Sequence, residues 1–460
     1  MSQVRSRERV QRLGEVFTSP REVALMLDML NGDAEDPDCR ILEPSCGNGN
    51  FLVEIVRRRA GWAASPAEAV KGVLGVDICE DNVLEARERM ADVLRDAYQN
   101  EMSEDEERAA LALISLNVRV GDFLTSEEAA IACDVIVGNP PYQEMDGGFG
   151  SSARPLYHKF FDRSRRAALR KVCLIIPARW YSGGKGLDAF RASMLADRTV
   201  ARIVDWENSS DCFPGVDISG GICVVLTDSA HDGDCLFEQR RGGETVSRAC
   251  RDLREAPVLI RDNAGAEIVR KAMAGRAPLS ATVRPRNSFG MATNFVPAGA
   301  GDIRVLTNSG WRAHDSSLVE KRREAIGQWK VFVSGSAFEH AGAAGKDGKR
   351  RVLSRIIITG PGTAATETYV LVDAFDSEAA ARALASYLST RTARYLVSLA
   401  ASSHHITRDR FRFVPALTVS GRADDAALAR LFGLTDDEQR RITDTIRDWP
   451  QTDIPVETPE

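Results

Sequence analysis

Residues 40–82 read RILEPSCGNGNFLVEIVRRRAGWAASPAEAVKGVLGVDICEDN. A short apolar run ends in an acid, the chain turns through Gly47 and Gly49, and a helical pattern follows. A second apolar run then ends at Asp77. A strand, a glycine turn, a helix and a strand in this order indicate a parallel βαβ unit, whose ligands bind at the carboxyl ends of the strands.

The alternation of apolar runs with helical patterns continues to about residue 227. The predicted strands are Arg40–Leu42, Gly72–Val76, Asn117–Val120, Asp134–Val137, Val172–Ile176, Ala201–Asp205 and Gly221–Leu226. The predicted helices are Phe51–Arg59, Asp81–Tyr98, Leu156–Ala168 and Leu187–Ala196. This order predicts an α/β fold with a mostly parallel sheet covered by helices.

The strand–helix rhythm breaks after Thr227, which predicts a change of domain. Residues 231–234 and 240–244 look like loop or hairpin material, and Thr435 is a predicted N-cap of a late helix. We expect a first domain over residues 1–230, followed by a linker or the start of a second domain over residues 231–284. A second domain then covers residues 285–422, and a helical tail covers residues 423–460.

Charge is distributed unevenly along the 460 residues. The net charge is −6, yet residues 281–420 carry 19 Lys and Arg against 11 Asp and Glu, an excess of +8 that leaves −14 for the remainder. A basic binding module attached to an acidic enzyme domain would give this asymmetry. Chance segregation of surface charge is the alternative, and charge alone does not decide between them.

The composition indicates a cytoplasmic protein. No apolar run approaches the length of a membrane span, and the start lacks the apolar core of a signal peptide. The nine cysteines form no CxxC pair, and several lie inside apolar runs. We therefore expect small buried thiols, with neither a disulfide framework nor a metal site.

Three strand ends carry candidate binding residues. The turn at Gly47 and Gly49 lets backbone approach a ligand, and the following helix offers free N–H donors, although a tight structural turn has the same pattern. Asp77 can accept hydrogen bonds from both hydroxyls of a ribose, or can cap the next helix. Asp122 can accept from an exocyclic amine while Phe123 packs on a purine; an ordinary turn is the alternative.

The fourth strand leads directly into the sequence NPPY, in which Asn139 precedes Pro140, Pro141 and Tyr142. The two prolines hold the segment extended, so that the Asn139 side chain and the Pro140 carbonyl can point at one target. Both groups are acceptors and can bind the two hydrogens of an aromatic amine. Tyr142 offers a face on which a flipped base can stack, which a proline-rich turn alone does not need.

Taken together, residues 14–227 resemble the catalytic domain of the gamma-class amino-methyltransferases of bacterial restriction–modification systems, the TaqI-like adenine methylases. The resemblance is carried by FTSP, EPSCGNG, VD, GDF and NPPY, in that order. It implies a Rossmann-like, seven-stranded fold that uses S-adenosylmethionine. It also implies transfer of a methyl group to the N6 amine of a flipped adenine in double-stranded DNA.

The resemblance assigns roles to individual residues. Asn139, Pro140, Pro141 and Tyr142 would be catalytic. The cofactor would be bound by Phe17, Thr18, Pro20, Glu43, Cys46, Gly47, Gly49, Asp77, Ile78, Asp122 and Phe123. Gly147, Gly148 and Gly150 resemble a mobile loop that closes over DNA. Many relatives carry an aromatic residue near the last strand of the sheet; here GICVVLTD has none, and Phe213 and Trp206 are the nearby candidates.

The later part of the chain resembles a target-recognition domain of mixed α+β structure. Its predicted DNA-binding residues are Lys346, Lys349, Arg350, Arg351, Arg394, His404, His405, Arg408, Arg410 and Arg412. Taken singly, each could equally be a solvated surface charge. The two histidines lack a cysteine or paired acid at ligand spacing, so we predict no metal there.

Other functions share parts of this pattern. NPPY also serves methyltransferases that act on RNA or on the amide of a protein glutamine, although these usually have a smaller recognition appendage. A catalytically idle DNA-binding subunit would carry a broken NPPY or glycine motif, and both are intact here. The expected partner is double-stranded DNA, and any cognate restriction endonuclease would be a separate chain.

Overall fold

The computed structural model describes residues 16–99, 102–126, 133–144, 154–184, 186–216, 218, 220–336, 345, 347–400, 405–419, 421–450 and 454–458. The chain divides into two compact units, Met1–Leu259 and Ile260–Glu460, which we call the amino-terminal and carboxy-terminal units. The division lies inside the interval 231–284 that the sequence assigns to a linker or the start of a second domain.

The amino-terminal unit is built on one large sheet. Its strands are β1 (Ile41–Glu43), β2 (Val73–Asp77), β3 (Val118–Val120), β4 (Cys133–Gly138), β5 (Gln143–Glu144), β6 (Arg154–Pro155), β7 (Ala168–Pro177), β8 (Val200–Trp206), β9 (Ile222–Asp228), β10 (Cys235–Arg241) and β11 (Glu244–Arg251). Nine of them form the sheet in the order β11-β10-β8-β9-β7-β4-β1-β2-β3, while β5 and β6 pair separately. Strand β9 runs antiparallel to both of its neighbours.

The predicted α/β class is confirmed, and each of the seven predicted strands is found in the sheet. The expected number of seven strands is wrong, because β10 and β11 extend the sheet to nine. In β10, the buried Cys235 and Phe237 are followed by polar residues, and β11 is an edge strand with mostly exposed side chains. Strands at the edge of a sheet carry few apolar residues, so their sequence signal is weak.

Helices cover the sheet. In the amino-terminal unit they are α1 (Pro20–Asp28), α2 (Asn50–Ala60), α3 (Pro66–Val70), α4 (Glu80–Tyr98), α5 (Glu104–Asn117), α6 (Tyr157–Ala167) and α7 (Asp188–Ala196). The four predicted helices are present, and α1, α3 and α5 are additional. Helices α1 and α3 each begin with proline after a serine, where the missing N–H costs no hydrogen bond. Helix α5 begins with a capping box between Ser103 and Glu106.

The strand order reverses at β1, since β2 lies on one side of it and β4 on the other. Such a reversal opens a crevice at the carboxyl ends of the strands. The register pairs Glu43 of β1 with Gly75 of β2, and Leu42 with Ile136 of β4. The residues that follow these three strands therefore meet at one edge of the sheet.

The carboxy-terminal unit combines two three-stranded sheets with helices. One sheet has the order β13 (Gly310–His314), β12 (Ile303–Thr307), β16 (Thr363–Ala365), and the other has the order β15 (Ile356–Thr359), β14 (Trp329–Ser334), β17 (Tyr369–Phe375). The helix that begins after Thr435 has a capping box with Glu438, which confirms the predicted N-cap. Within the described residues, no helix combines the length and apolar character that a bilayer crossing requires. The helices are α8 (Asn263–Met273), α9 (Glu378–Ser389), α10 (Arg391–Leu399), α11 (Asp425–Phe432) and α12 (Asp436–Thr445).

Candidate functional site

A cleft of about 740 Å³ lies at the carboxyl ends of β1, β2 and β4. It is where the crevice of the sheet is expected. Its lining residues come from the segment before α1, from the ends of the strands and the loops after them, and from helices α2, α4 and α6. They are Val16, Phe17, Thr18, Glu43, Pro44, Ser45, Cys46, Gly47, Asn48, Asn50, Phe51, Asp77, Ile78, Cys79, Asn82, Gly121, Asp122, Phe123, Asn139, Pro141 and Phe160.

The two glycines of the turn have different roles. Gly47 lines the cleft with a φ of +49°, and a Cβ there would lie 3.0 Å from the Phe17 ring. Gly49 was predicted to line the same pocket, but it serves helix packing instead. Its φ is +83°, and a Cβ would lie only 2.8 Å from the Cβ of Ala86 on α4. Gly49 thus lets α2 begin in close contact with α4.

Asp77 is held by three hydrogen bonds from the protein. One carboxylate oxygen accepts from the Gly47 N–H at 2.8 Å, and the other accepts from the Cys79 N–H at 2.9 Å and the Asn82 amide at 3.3 Å. A carboxylate offers about four acceptor positions. Asp77 therefore fixes the glycine turn and starts α4, and it keeps about one position for a ligand in the cleft.

The floor of the cleft is rich in acceptors. The Glu43 side chain is 3% exposed, and its Oε2 is buried without a partner among the described residues. Burial, and then the nearby Asp77, raise the pKa of the Glu43 carboxyl well above its ordinary value. The Oδ1 atom of Asn48 is likewise buried without a partner among the described residues. The amide nitrogen of Asn48 donates to Glu85, which leaves Oδ1 as the atom available to a ligand. A ligand with donor groups and positive charge fits this surface.

Cys46 contributes no charge to this floor. Burial, followed by the carboxyls of Glu43 and Asp77, raises the pKa of its thiol well above the ordinary value. Seven of the nine cysteines are buried, which agrees with the expectation of small buried thiols.

Aromatic rings form the far wall. Phe123 is 1% exposed and stacks on Phe160, with ring centroids 5.7 Å apart and planes at 23°. The Arg163 guanidinium lies 5.3 Å from the Phe123 centroid. Asp122 accepts hydrogen bonds from the Leu124 N–H and the Thr125 hydroxyl, as an ordinary turn would.

Ile78 follows β2 and is an exposed apolar side chain on the rim of the same cleft. Together with the two stacked rings of Phe123 and Phe160, it gives this end of the cleft an apolar surface suited to a flat aromatic group.

Asn139 is held by two segments from other parts of the fold. Its Nδ2 donates to the Val16 carbonyl at 2.9 Å, and its backbone carbonyl accepts from the Ser45 hydroxyl at 3.1 Å. Because the amide nitrogen is occupied in this way, the Oδ1 atom is the group left to accept from a target. The predicted acceptor function of Asn139 is compatible with this geometry.

Tyr142 does not line the cleft. Its ring packs edge-on against Phe213, with centroids 6.4 Å apart, and its hydroxyl is buried without a partner among the described residues. Of the two candidates for a second aromatic face, Phe213 therefore contacts Tyr142, and Trp206 is 1% exposed within the core.

Most of the predicted cofactor and catalytic residues line this one cleft. Pro20, Gly49, Pro140 and Tyr142 are the exceptions. Pro20 is the exposed first residue of α1. The sequence interpretation missed ten lining residues, which are Val16, Pro44, Ser45, Asn48, Asn50, Phe51, Cys79, Asn82, Gly121 and Phe160. Pro44, Ser45 and Asn48 lie within the quoted motif EPSCGNG, and Gly121 lies within GDF. Val16 and Asn50 immediately flank quoted motifs, so position in or beside a motif was an available signal for these six residues. Phe160 lies within α6 and had none.

Two of the predicted DNA-binding residues are wrong. Arg394 is 1% exposed, donates to the carbonyls of Ser389, Thr390 and Arg447, and stacks on Trp449. Arg410 is 5% exposed, and its Nε donates to the His405 carbonyl. Burial lowers the pKa of each guanidinium to about 10. Both are interior residues that donate to backbone carbonyls, so neither presents its guanidinium group at the surface of this structure.

The remaining predicted contacts are closer to the surface. Arg408 is exposed and donates to the Ser280 carbonyl, while Arg412 is half-buried and pairs with Asp409 at 3.4 Å. Lys349 donates to the Thr443 carbonyl. Arg351 and His405 are exposed, and Arg350 is half-buried. Lys346 and His404 lie outside the described residues, as do Gly147, Gly148 and Gly150.

Known proteins are similar to parts of this chain. Residues 72–213 match the family model for the Eco57I restriction-modification methylase. An uncharacterized adenine-specific methylase of Mycoplasma pneumoniae (strain ATCC 29342 / M129 / Subtype 1) is 28% identical over 147 residues, which cover 31% of this chain and 34% of that protein. The Type II methyltransferase M.PaeR7I of Pseudomonas aeruginosa is 29% identical over 162 residues, which cover 33% of this chain and 27% of that protein.

Among solved structures, the Type IIL restriction-modification enzyme MmeI in complex with DNA has 11% sequence identity and a TM-score of 0.47, over 90% of this chain and 68% of that chain. The matches to the two curated relatives span about a third of their length or less. The segment matched by the family model includes Asp77, Asp122 and the whole of NPPY, and it begins after the glycine turn.

Proposed function

We propose that this chain is a DNA methyltransferase of a restriction–modification system that uses S-adenosylmethionine to methylate the N6 amine of adenine in double-stranded DNA. The observation that carries the proposal is the position of Asn139. It follows β4 and faces the same cleft as the glycine turn after β1, with its amide nitrogen occupied and its oxygen left as an acceptor. The similarity to adenine-specific methylases supports the choice of base.

The residues of the cleft fit S-adenosylmethionine. Its ammonium and sulfonium charges complement the unpartnered acceptors of Glu43 and Asn48. The remaining acceptor position of Asp77 suits a ribose hydroxyl, and Phe123 with Phe160 suits the adenine ring. When bound, this cofactor supplies an electrophilic methyl group.

The chain itself would activate the acceptor amine. Asn139 Oδ1 and the Pro140 carbonyl would accept the two amine hydrogens, which draws the nitrogen away from conjugation and makes its lone pair available. Fixed acceptors that need no reorganisation act most strongly on the transition state. The Tyr142 ring would leave its packed position against Phe213 and then stack on the flipped base.

The first test measures the product. DNA from a methylation-free host that expresses the protein is digested to nucleosides and examined by mass spectrometry, and long-read sequencing maps the modified positions. We expect N6-methyladenine at one recurring sequence. Asn139→Ala should lower turnover about a hundred- to a thousandfold while binding of S-adenosylmethionine survives, because one fixed acceptor is lost.

The same digest separates the alternatives. N4-methylcytosine without methyladenine would contradict the choice of base. Unmodified DNA, together with methylation of RNA or of a protein glutamine by the purified enzyme, would replace the DNA proposal. We assign DNA recognition to the carboxy-terminal unit because residues 281–420 carry the excess of positive charge, and we propose that any cognate endonuclease is a separate chain.

A further inference from the structure

The amide of Asn139 is oriented from outside its own loop. Its Nδ2 donates to the carbonyl of Val16 at 2.9 Å, and Val16 is 123 residues distant in sequence. An asparagine amide can present either its oxygen or its nitrogen to a ligand. With the nitrogen engaged at Val16, only the oxygen can face an amine in the cleft.

The segment that supplies this carbonyl is itself fixed. The Asn50 amide donates to the Thr18 carbonyl at 2.7 Å, and Asn50 Oδ1 accepts from Arg89 of α4 at 2.9 Å. Residues 16–18 are thus held at Val16 by the NPPY loop and at Thr18 by the first turn of α2. The ring of Phe17, between these two contacts, packs over Gly47.

A second contact fixes the backbone of the same residue. The Ser45 hydroxyl, in the loop after β1, donates to the Asn139 carbonyl at 3.1 Å. The side chain and the main chain of Asn139 are therefore both held by segments that line the cofactor part of the cleft.

We infer that the Val16 carbonyl and Ser45 are positioning groups, which turn the Asn139 oxygen toward the adenine amine and couple that orientation to the cofactor segments. The inference rests on the proposed function, because it assumes that the Asn139 oxygen accepts from the base. It adds that the Nδ2 donor of Asn139 is as necessary for methyl transfer as its Oδ1 acceptor.

Replacing Asn139 by aspartate tests this donor directly. An ionised aspartate keeps two acceptors of the right size but cannot donate to Val16, and its charge is repelled by that carbonyl. A protonated aspartate can donate through its O–H while its other oxygen accepts from the base. Activity of Asn139→Asp should therefore depend on the protonated fraction of the new carboxyl.

The experiment compares the pH profiles of kcat for wild type, Asn139→Asp and Asn139→Ala on unmethylated DNA that carries the mapped site. Above the pKa of its carboxyl, Asn139→Asp should gain about tenfold in kcat for each unit by which the pH falls, relative to wild type. Asn139→Ala should show no such gain. Calorimetry with S-adenosylmethionine establishes that each variant still binds the cofactor.

A profile of Asn139→Asp parallel to that of wild type, or inactivity at every pH in a variant that binds the cofactor, would overturn the inference. If Asn139→Asp does not bind the cofactor, the kcat values of two Ser45 variants test the inference instead. Ser45→Ala should lower kcat severalfold at saturating cofactor, and Ser45→Thr, which keeps the hydroxyl, should restore it; equal kcat in all three proteins would overturn the inference. Wild-type protein that leaves DNA unmethylated would instead refute the proposed function.

Discussion

At the scale of single residues, the chemistry of the cleft is set by acceptors that the fold leaves without donors. Glu43 and Asn48 each keep a buried oxygen unpartnered among the described residues. An unpartnered buried polar atom costs about 1–3 kcal/mol, and a ligand with donor groups in the cleft would offset that cost. Cys46 in this region is buried and the pKa of its thiol is raised, so it supplies packing and no nucleophile.

Glu43 should link cofactor binding to pH. Its pKa is raised by burial and by Asp77, and a cation bound beside it would lower that pKa again. Binding therefore releases a proton and strengthens as pH rises between the two pKa values. Titration calorimetry in buffers of different ionisation enthalpy should detect proton release for wild type and less for Glu43→Gln. Equal release by both proteins would remove Glu43 from the linkage.

At the scale of elements, helix packing decides the shape of the glycine turn. Gly49 is the N-cap of helix α2, and its left-handed backbone and its contact with Ala86 of α4 both disfavour a side chain there. Gly47, two residues earlier, is limited instead by the ring of Phe17. The two glycines of this turn are therefore limited by different neighbours: Gly49 by Ala86 in the core, and Gly47 by Phe17 in the cleft.

Gly49→Ala should destabilise the amino-terminal unit. We expect a cost of about 1–2 kcal/mol for the left-handed backbone and a further cost of about 1–3 kcal/mol for the collision with Ala86. In a double-mutant cycle, Ala86→Gly should relieve the second cost and leave the first. The free energies of unfolding of the four proteins, measured with denaturant, give both costs. Strict additivity of the two substitutions would show that α2 shifts away from α4 without strain.

At the scale of the whole molecule, charge and burial divide the basic residues into two groups. Arg394 and Arg410 are interior, and their guanidinium groups donate to backbone carbonyls, so they stabilise the fold of the carboxy-terminal unit. Arg408 is exposed and Arg412 is partly so, within the stretch 281–420 that carries 19 basic against 11 acidic residues. Of these four arginines, the second pair is the one with side chains at the surface, where a phosphate could reach them.

Arg408→Gln with Arg412→Gln should flatten the salt dependence of DNA binding. Each lost phosphate contact reduces the slope of log K against log salt by about 0.9, so the double variant should lose up to about two units. The matched control is Arg57→Gln with Arg108→Gln, exposed arginines of the amino-terminal unit that change the net charge equally. Equal slopes in both double variants would place the DNA contacts elsewhere.

The sequence by itself determined the α/β class, the seven strands and the strand ends that meet at the cleft. These features follow from local periodicity and from motifs such as EPSCGNG and NPPY, in which neighbours along the chain act together. The signals for β10 and β11 are weak, because polar residues follow the two buried apolar residues of β10, and β11 is an edge strand with mostly exposed side chains.

Only the tertiary structure decided the contacts between residues far apart in sequence. The bond from Asn139 to Val16, the collision that requires Gly49, and the burial of Arg394 under Trp449 all depend on which elements pack together. An arginine in a basic cluster has the same local sequence whether it faces solvent or backbone carbonyls. Its role is fixed by what covers it, and that is a property of the packed chain.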